Sequence, residues 1–160
     1  MSDFLKTAGV AFVVIGTGAG TVSVMNDDLP DLSVPALPWA QSGALDGRIF
    51  VTRDTIDETG EVVYDTLRFF DGRFQSSRAQ IYCDFGWTDY QTWLEEDVVH
   101  FTTTTVCDEA PHTVVWYGTV RGDAILLEGT WTTRRWYWTQ QTLVIGIGES
   151  ALTIHGKQNS

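Results

Sequence analysis

Basic residues are scarce in this chain: ten Lys and Arg stand against 21 Asp and Glu, a formal net charge of -11. Neutralising a phosphate backbone needs a basic surface, so nucleic acid is excluded as a partner. Cysteine is nearly absent too, with only Cys83 and Cys107. At that spacing they make no metal or redox motif. They pair if the domain lies outside the cytoplasm, and are otherwise small core residues. Neither HExxH nor GxSxG occurs, and His100, His112 and His155 are scattered over different predicted strands and turns. The expectation is therefore no catalytic residue, no metal and no cofactor.

Long uncharged runs are equally rare. One exists, over residues 7–25, and it is just long enough to cross a bilayer as a helix. Lys6 precedes it while Asp27, Asp28 and Asp31 follow, so the short N-terminal flank stays cytoplasmic and the rest is extracytoplasmic, periplasmic in a bacterium. A cleaved signal and a buried soluble segment are the competing readings. Gly16 and Gly20 form a GxxxG pair that lets a second membrane helix approach closely. The same glycines imitate a dinucleotide-binding turn, but Thr21 stands where the third glycine belongs and no amphipathic helix follows. Pro30, Pro35 and Pro38 then make residues 26–44 an extended linker. Trp39, near its end, is placed either to plug a barrel mouth or to anchor at an interface.

What the chain has in quantity is alternation and aromatics, with seven Trp, five Tyr and eight Phe. Residues 113–134 read as a β-hairpin turned by Gly122-Asp123, whose glycine tolerates the positive φ of a type II′ turn. A two-residue turn sets the register: Val120 faces Ile125, Gly118 faces Leu127, Trp116 faces Gly129 and Val114 faces Trp131. That face is apolar, whereas Tyr117, Thr119, Glu128, Thr130 and Thr132 form a wet one. Asp71-Gly72 predicts a second hairpin in which Phe69 faces Phe74, Leu67 faces Ser76 and Asp65 faces Arg78. The last pair would place an ion pair towards the interior.

Further strands are expected at residues 48–55, 97–107, 136–148 and 150–155, the last pairing with the first to close the sheet. Between 81 and 96 the alternation breaks. Thr88 and Gln91 have capping-box spacing, with Tyr90, Trp93 and Leu94 on one side of a short capping helix. Trp136, Tyr137 and Trp138 put aromatics on both faces of their strand, which marks a surface for a protein partner or lipid headgroups. The sum is an all-β chain: an antiparallel eight-stranded up-and-down barrel with one short capping helix, preceded by an N-terminal transmembrane helix. The domains are an anchor at 1–25, the linker at 26–44 and the barrel at 45–160.

With LDG at Leu45 entering the first strand, FFDGRF from Phe69 and WYGTVRGD from Trp116, the chain resembles the calycin-like barrels, the group of lipocalins and avidins. The Gly-x-Trp that opens many lipocalins is replaced here by Gly47-Arg48-Ile49. The resemblance implies a barrel of the kind that often takes a small apolar molecule. The leading expectation is a non-catalytic, membrane-anchored accessory or assembly subunit. It would contact membrane protein subunits and the lipid bilayer through Gly16, Gly20, Trp136, Tyr137 and Trp138. The alternative is a tethered carrier or sensor, with Phe69, Trp116 and Trp131 lining a cavity and Asp65 with Arg78 fixing a polar end. A barrel isomerase or cyclase is the third reading.

Overall fold

The computed structural model describes residues 34–151 and the backbone of Val22–Val24. In chain order the elements are β1 (Val22–Val24), β2 (Ala40–Gln41), β3 (Ile49–Ile56), β4 (Val62–Phe70), β5 (Arg73–Ser76), α1 (Ser77–Tyr82), β6 (Thr88–Glu95), β7 (Val98–Val106), β8 (His112–Arg121), β9 (Ala124–Arg135) and β10 (Trp138–Ser150). Each strand from β3 to β10 pairs antiparallel with the next, and β10 also pairs with β3. The result is a closed eight-stranded ring. Closure leaves no long free edge in the ring, which is how small β proteins avoid edge-to-edge association.

Both hairpins follow from their turns. Gly122 has a φ of 57° and the pairs Val120↔Ile125, Gly118↔Leu127, Trp116↔Gly129 and Val114↔Trp131 all form. Asp71 and Gly72 both have positive φ, and Phe69↔Phe74 and Leu67↔Ser76 pair across them. The wet face is drier than expected at one point: Thr132 is buried and accepts a hydrogen bond from the Gln141 side chain.

The ring reaches eight by a different membership from the expected one. Residues 88–95 are strand β6, not a helix. Tyr90 and Thr92 are buried while Asp89 and Gln91 are exposed, a period of two, and β6 pairs with β7 from Tyr90↔Thr103 to Glu95↔Val98. A helix there would satisfy its own backbone but strand the neighbouring edges of β5 and β7. The helix lies earlier, at α1. Ser76 caps it, its Oγ accepting from the Ala79 amide at 3.0 Å.

The ring is not closed by a separate strand at 150–155, of which residues 152–155 lie outside the described residues. A single 13-residue strand, β10, runs from Trp138 to Ser150 and pairs with β3 from Val144↔Ile56 to Ser150↔Phe50. Gln140 and Gln141 pair regularly with Thr133 and Thr132, so no bulge interrupts it. Trp136 and Tyr137 are not strand residues either. They form the two-residue turn between β9 and β10, closed by Trp138↔Arg135.

Two short strands extend the ring where a neighbour stops. β1, inside the stretch expected to be the anchor, pairs with Thr139 to Gln141 of β10, beyond the end of β3. β2 pairs with Gln91 and Thr92 of β6, beyond the end of β5. The rest of the expected anchor, including Gly16 and Gly20, lies outside the described residues. Among the described residues no helix is long and apolar enough to cross a membrane. Trp39 plugs no mouth. It is half-buried, its indole donating to the Pro35 carbonyl and meeting Tyr117 edge-on at 6.3 Å on the outer wall.

The core occupies one end of the ring. Phe69 is its hub, with ring centroids of Phe50, Phe74, Tyr90 and Phe101 at 6.1, 5.3, 5.1 and 5.1 Å. Each such edge-on pair adds about 0.5–1.5 kcal/mol to area burial. The close approach of Phe101 requires Gly118, since any Cβ there would overlap the ring. Asp46 closes this end from outside, accepting from the Gly72 amide at 3.0 Å and the Tyr90 hydroxyl at 2.8 Å.

Candidate functional site

The opposite end of the ring is open. It is formed by the last residues of β3, β5, β7 and β9 and the first of β4, β8 and β10. The inward alternation continues here, but its residue types change. After Phe50, β3 turns in Thr52 and Asp54; after Phe69 and Leu67, β4 turns in Asp65. Smaller and polar side chains leave space, and a cavity of about 520 Å³ opens between them. That volume lies within the range of small-molecule sites.

Aromatic residues form one wall. Trp116, 4% exposed, comes from β8, and half-buried Trp131 comes from β9. The α1 segment supplies the rim, where Tyr82 and Phe85 meet Trp131 edge-on at 5.0 and 5.3 Å. A disulfide between Cys83 and Cys107, with Cα atoms 6.0 Å apart, ties the end of α1 to the end of β7. The rim is thus held by a covalent bond over a sequence separation of 24.

The remaining lining mixes apolar residues, Ile56, Val63, Ala79 and Val144, with polar ones, four of them acidic. Asp54, Glu58, Glu61 and Asp65 face it with Arg78 as the counter-charge. Asp65 is buried but saturated. It accepts from the Ser76 hydroxyl, from the Arg78 amide at 2.8 Å and from the Thr66 amide at 2.6 Å. Burial still raises its pKa above the usual carboxylate value. The expected ion pair with Arg78 does not form. The chain leaves the sheet at Ser77, so Arg78 offers Asp65 its backbone amide while its side chain is exposed at the rim.

Asp54 is different. It is 2% exposed, and neither its Oδ1 nor the buried hydroxyl of Thr52 has a hydrogen-bond partner. Burial pushes its pKa up to about 6; the nearby Thr52 hydroxyl, which favours the charged form, opposes this, and the charge of Asp65 adds to it. Gly146 lies directly across the ladder from Asp54, and any Cβ there would overlap the carboxylate. His112 stands near the mouth. Its Nδ1 is 2.9 Å from the Thr133 hydroxyl and accepts from the Trp131 indole at 3.4 Å. An indole only donates, so the ring proton belongs on Nε2.

Of the residues expected to line a site, Trp116, Trp131, Asp65 and Arg78 converge on this cavity. Phe69 does not, being sealed in the aromatic core. Trp136, Tyr137 and Trp138 sit on the β9–β10 hairpin at the same end of the barrel. Trp136 is 95% exposed, and the Arg135 guanidinium lies 5.9 Å from the Trp138 ring. Sequence reasoning missed Asp54 and His112. The signal for Asp54 was present: an acid in the inward register of Phe50, Thr52 and Ile56, with Gly146 and Gly148 on a neighbouring strand.

A second cluster lies on the outer wall. His100 bridges the Tyr117 hydroxyl at 3.0 Å and Glu95 at 3.3 Å, with the Trp93 ring 5.1 Å away. Among the described residues no group of His, Cys, Asp and Glu is placed to hold a metal ion. In comparison with known proteins, the chain matches no family model, no curated protein and no solved structure.

Proposed function

We propose that this barrel is a binding protein that holds one small molecule in the cavity at its open end. The observation that carries the reading is the cavity of about 520 Å³ with Trp116 and Trp131 on its wall and buried carboxyl groups at its floor. Concave, largely preformed sites with aromatic walls and a few placed polar groups are where proteins bind small ligands. Binding without chemistry suits the hydrogen bonding. Both oxygens of Asp65 are occupied by the fold, and Nδ1 of His112 is engaged by Trp131 and Thr133. The Cys83–Cys107 disulfide favours an oxidising, extracytoplasmic setting. The resemblance to calycin-like barrels agrees with a ligand held inside the ring.

The test is a neutral fluorescent probe, N-phenyl-1-naphthylamine, titrated into the purified full chain. Saturable enhancement is expected, and it should be lost in Val144→Trp, which fills the cavity from β10. Enhancement unaffected by that substitution, in a variant whose fold is intact, would reject the cavity as the site.

A second reading is favoured by the 95% exposure of Trp136. A bare indole at a hairpin tip suits contact with a membrane partner or bilayer surface, as an accessory subunit would make. Native mass spectrometry after gentle membrane extraction separates the two. Stoichiometric protein subunits support the accessory role, and a lone chain carrying a small mass supports the carrier.

A further inference from the structure

The floor of the cavity holds an unanswered charge. Asp54 is 2% exposed, lines the cavity, and leaves Oδ1 without a hydrogen bond; Thr52, next inward on the same strand face, leaves its hydroxyl unpartnered too. Buried polar atoms are nearly always paired, because an unmade bond leaves the group's desolvation uncompensated. Within the fold the nearby Thr52 hydroxyl favours the charged form of Asp54, and the flanking strands add no counter-charge. Across the β10 ladder is Gly146, which has no side chain, and across β4 is Val63. The charged groups that share the cavity are Asp65 on β4, Glu58 and Glu61 at the β3–β4 turn, Arg78 on α1 and His112 on β8. Asp65 is satisfied internally and Arg78 is exposed at the rim, so the floor has surplus negative charge.

We infer that the ligand is a monocation, a protonated amine on an aromatic or apolar body, with its ammonium donating to Asp54 and its body against Trp116 and Trp131. This rests on the cavity being a ligand site. An ammonium supplies several donors, no acceptor and a positive charge, which is what a carboxylate without a counter-charge requires. The indoles add cation–π attraction and apolar contact along the path to the floor. A neutral ligand would leave the charge of Asp54 unneutralised, and an anion would face it with like charge.

Three probes of one shape test the charge: phenethylamine, phenethyl alcohol and phenylacetate, each competed against N-phenyl-1-naphthylamine on the full chain with its disulfide intact. Phenethylamine is expected to displace the dye at roughly tenfold or more lower concentration than the alcohol, with phenylacetate weakest, as for a charge-assisted hydrogen bond. In Asp54→Asn the ratio of amine to alcohol affinity should fall to near one. Because the free Asp54 carboxyl titrates near pH 6, the advantage in the wild-type chain should also shrink as pH falls below about 6. Equal displacement by amine and alcohol, or better displacement by phenylacetate, overturns the inference and leaves the cavity reading standing. Failure of the dye to bind at all removes both. The wild-type comparison needs no variant, so a misfolded Asp54→Asn does not rescue the idea.

Discussion

At the sealed end of the barrel Phe69 is surrounded by four aromatic rings; at the open end the same ring turns in Asp54, Asp65, Thr133, Gln140 and Thr142 around a void. Apart from the early end of β5, the strand ladder runs from one end to the other, so the difference lies in side chains and in that one deviation of the backbone. At Ser76 the chain leaves the sheet, and β5 ends after four residues where its partner β4 has nine. The wall is interrupted there and α1, fastened by the Cys83–Cys107 disulfide, becomes the rim. One end is built for stability. The other keeps a buried, partnerless carboxyl that stability alone would select against, which is where local rules are expected to fail at a functional site.

The contrast is most sharply broken in the core. Phe69→Ala removes the hub ring and should destabilise the protein by about 3–5 kcal/mol, read by urea denaturation. Thr142→Ala in the cavity lining should cost less than about 1 kcal/mol by the same measurement. Comparable losses at the two sites would mean that the open end is as tightly packed as the sealed one.

Removing the staple comes next. Replacing both Cys83 and Cys107 with Ser should cost about 3 kcal/mol for a loop of this length. Because the bond holds the rim, dye affinity should fall as well, whereas the sealed end should keep its slow amide hydrogen exchange. Uniformly faster exchange would show that the two ends do not open separately.

Asp54 gives the comparison its pH dependence. Its pKa is raised from 3.8 to about 6 on folding, so between those values the folded chain binds more protons than the unfolded one. Stability is then greatest below the lower value and declines as pH rises through the window, by up to about 3 kcal/mol. Asp65, also raised by burial, adds a slope of the same sign. Asp54→Asn should flatten most of this decline and be more stable than wild type at pH 7. Denaturation curves at pH 4, 5, 6 and 7 measure it, and an unchanged slope in the variant would assign the decline elsewhere.

The smallest effect belongs to Trp136. At 95% exposure its replacement by Ala should move stability by less than about 0.5 kcal/mol in a thermal scan. Any large loss would reveal that the indole packs against something in the native assembly.

How far the sequence led depends on the range of the interaction involved. The pairing of Val114 to Val120 with Ile125 to Trp131, and of Leu67 and Phe69 with Ser76 and Phe74, was readable because a two-residue turn and alternating polarity specify register within about a dozen residues. The all-β class and the convergence of Trp116, Trp131 and Asp65 followed from the same local pattern. The Thr88 to Glu95 segment was not readable. Its letters fit both a capped helix and an alternating strand, and pairing with β7 and the start of β5 chooses between them. Trp136 and Tyr137 were likewise ambiguous until Arg135 met Trp138.

By itself, then, the sequence determined the strand-rich class, the two hairpin registers and the acidic, aromatic character of what the ring encloses. Tertiary structure decided which strand closes the ring, where the helix forms, and that Asp54 rather than an Asp65–Arg78 pair forms the floor of the cavity. The physical reason is that a turn acts between neighbours in the chain. A closed ring and the space inside it exist only when residues as far apart as Asp54 and Gly146 face one another across a ladder.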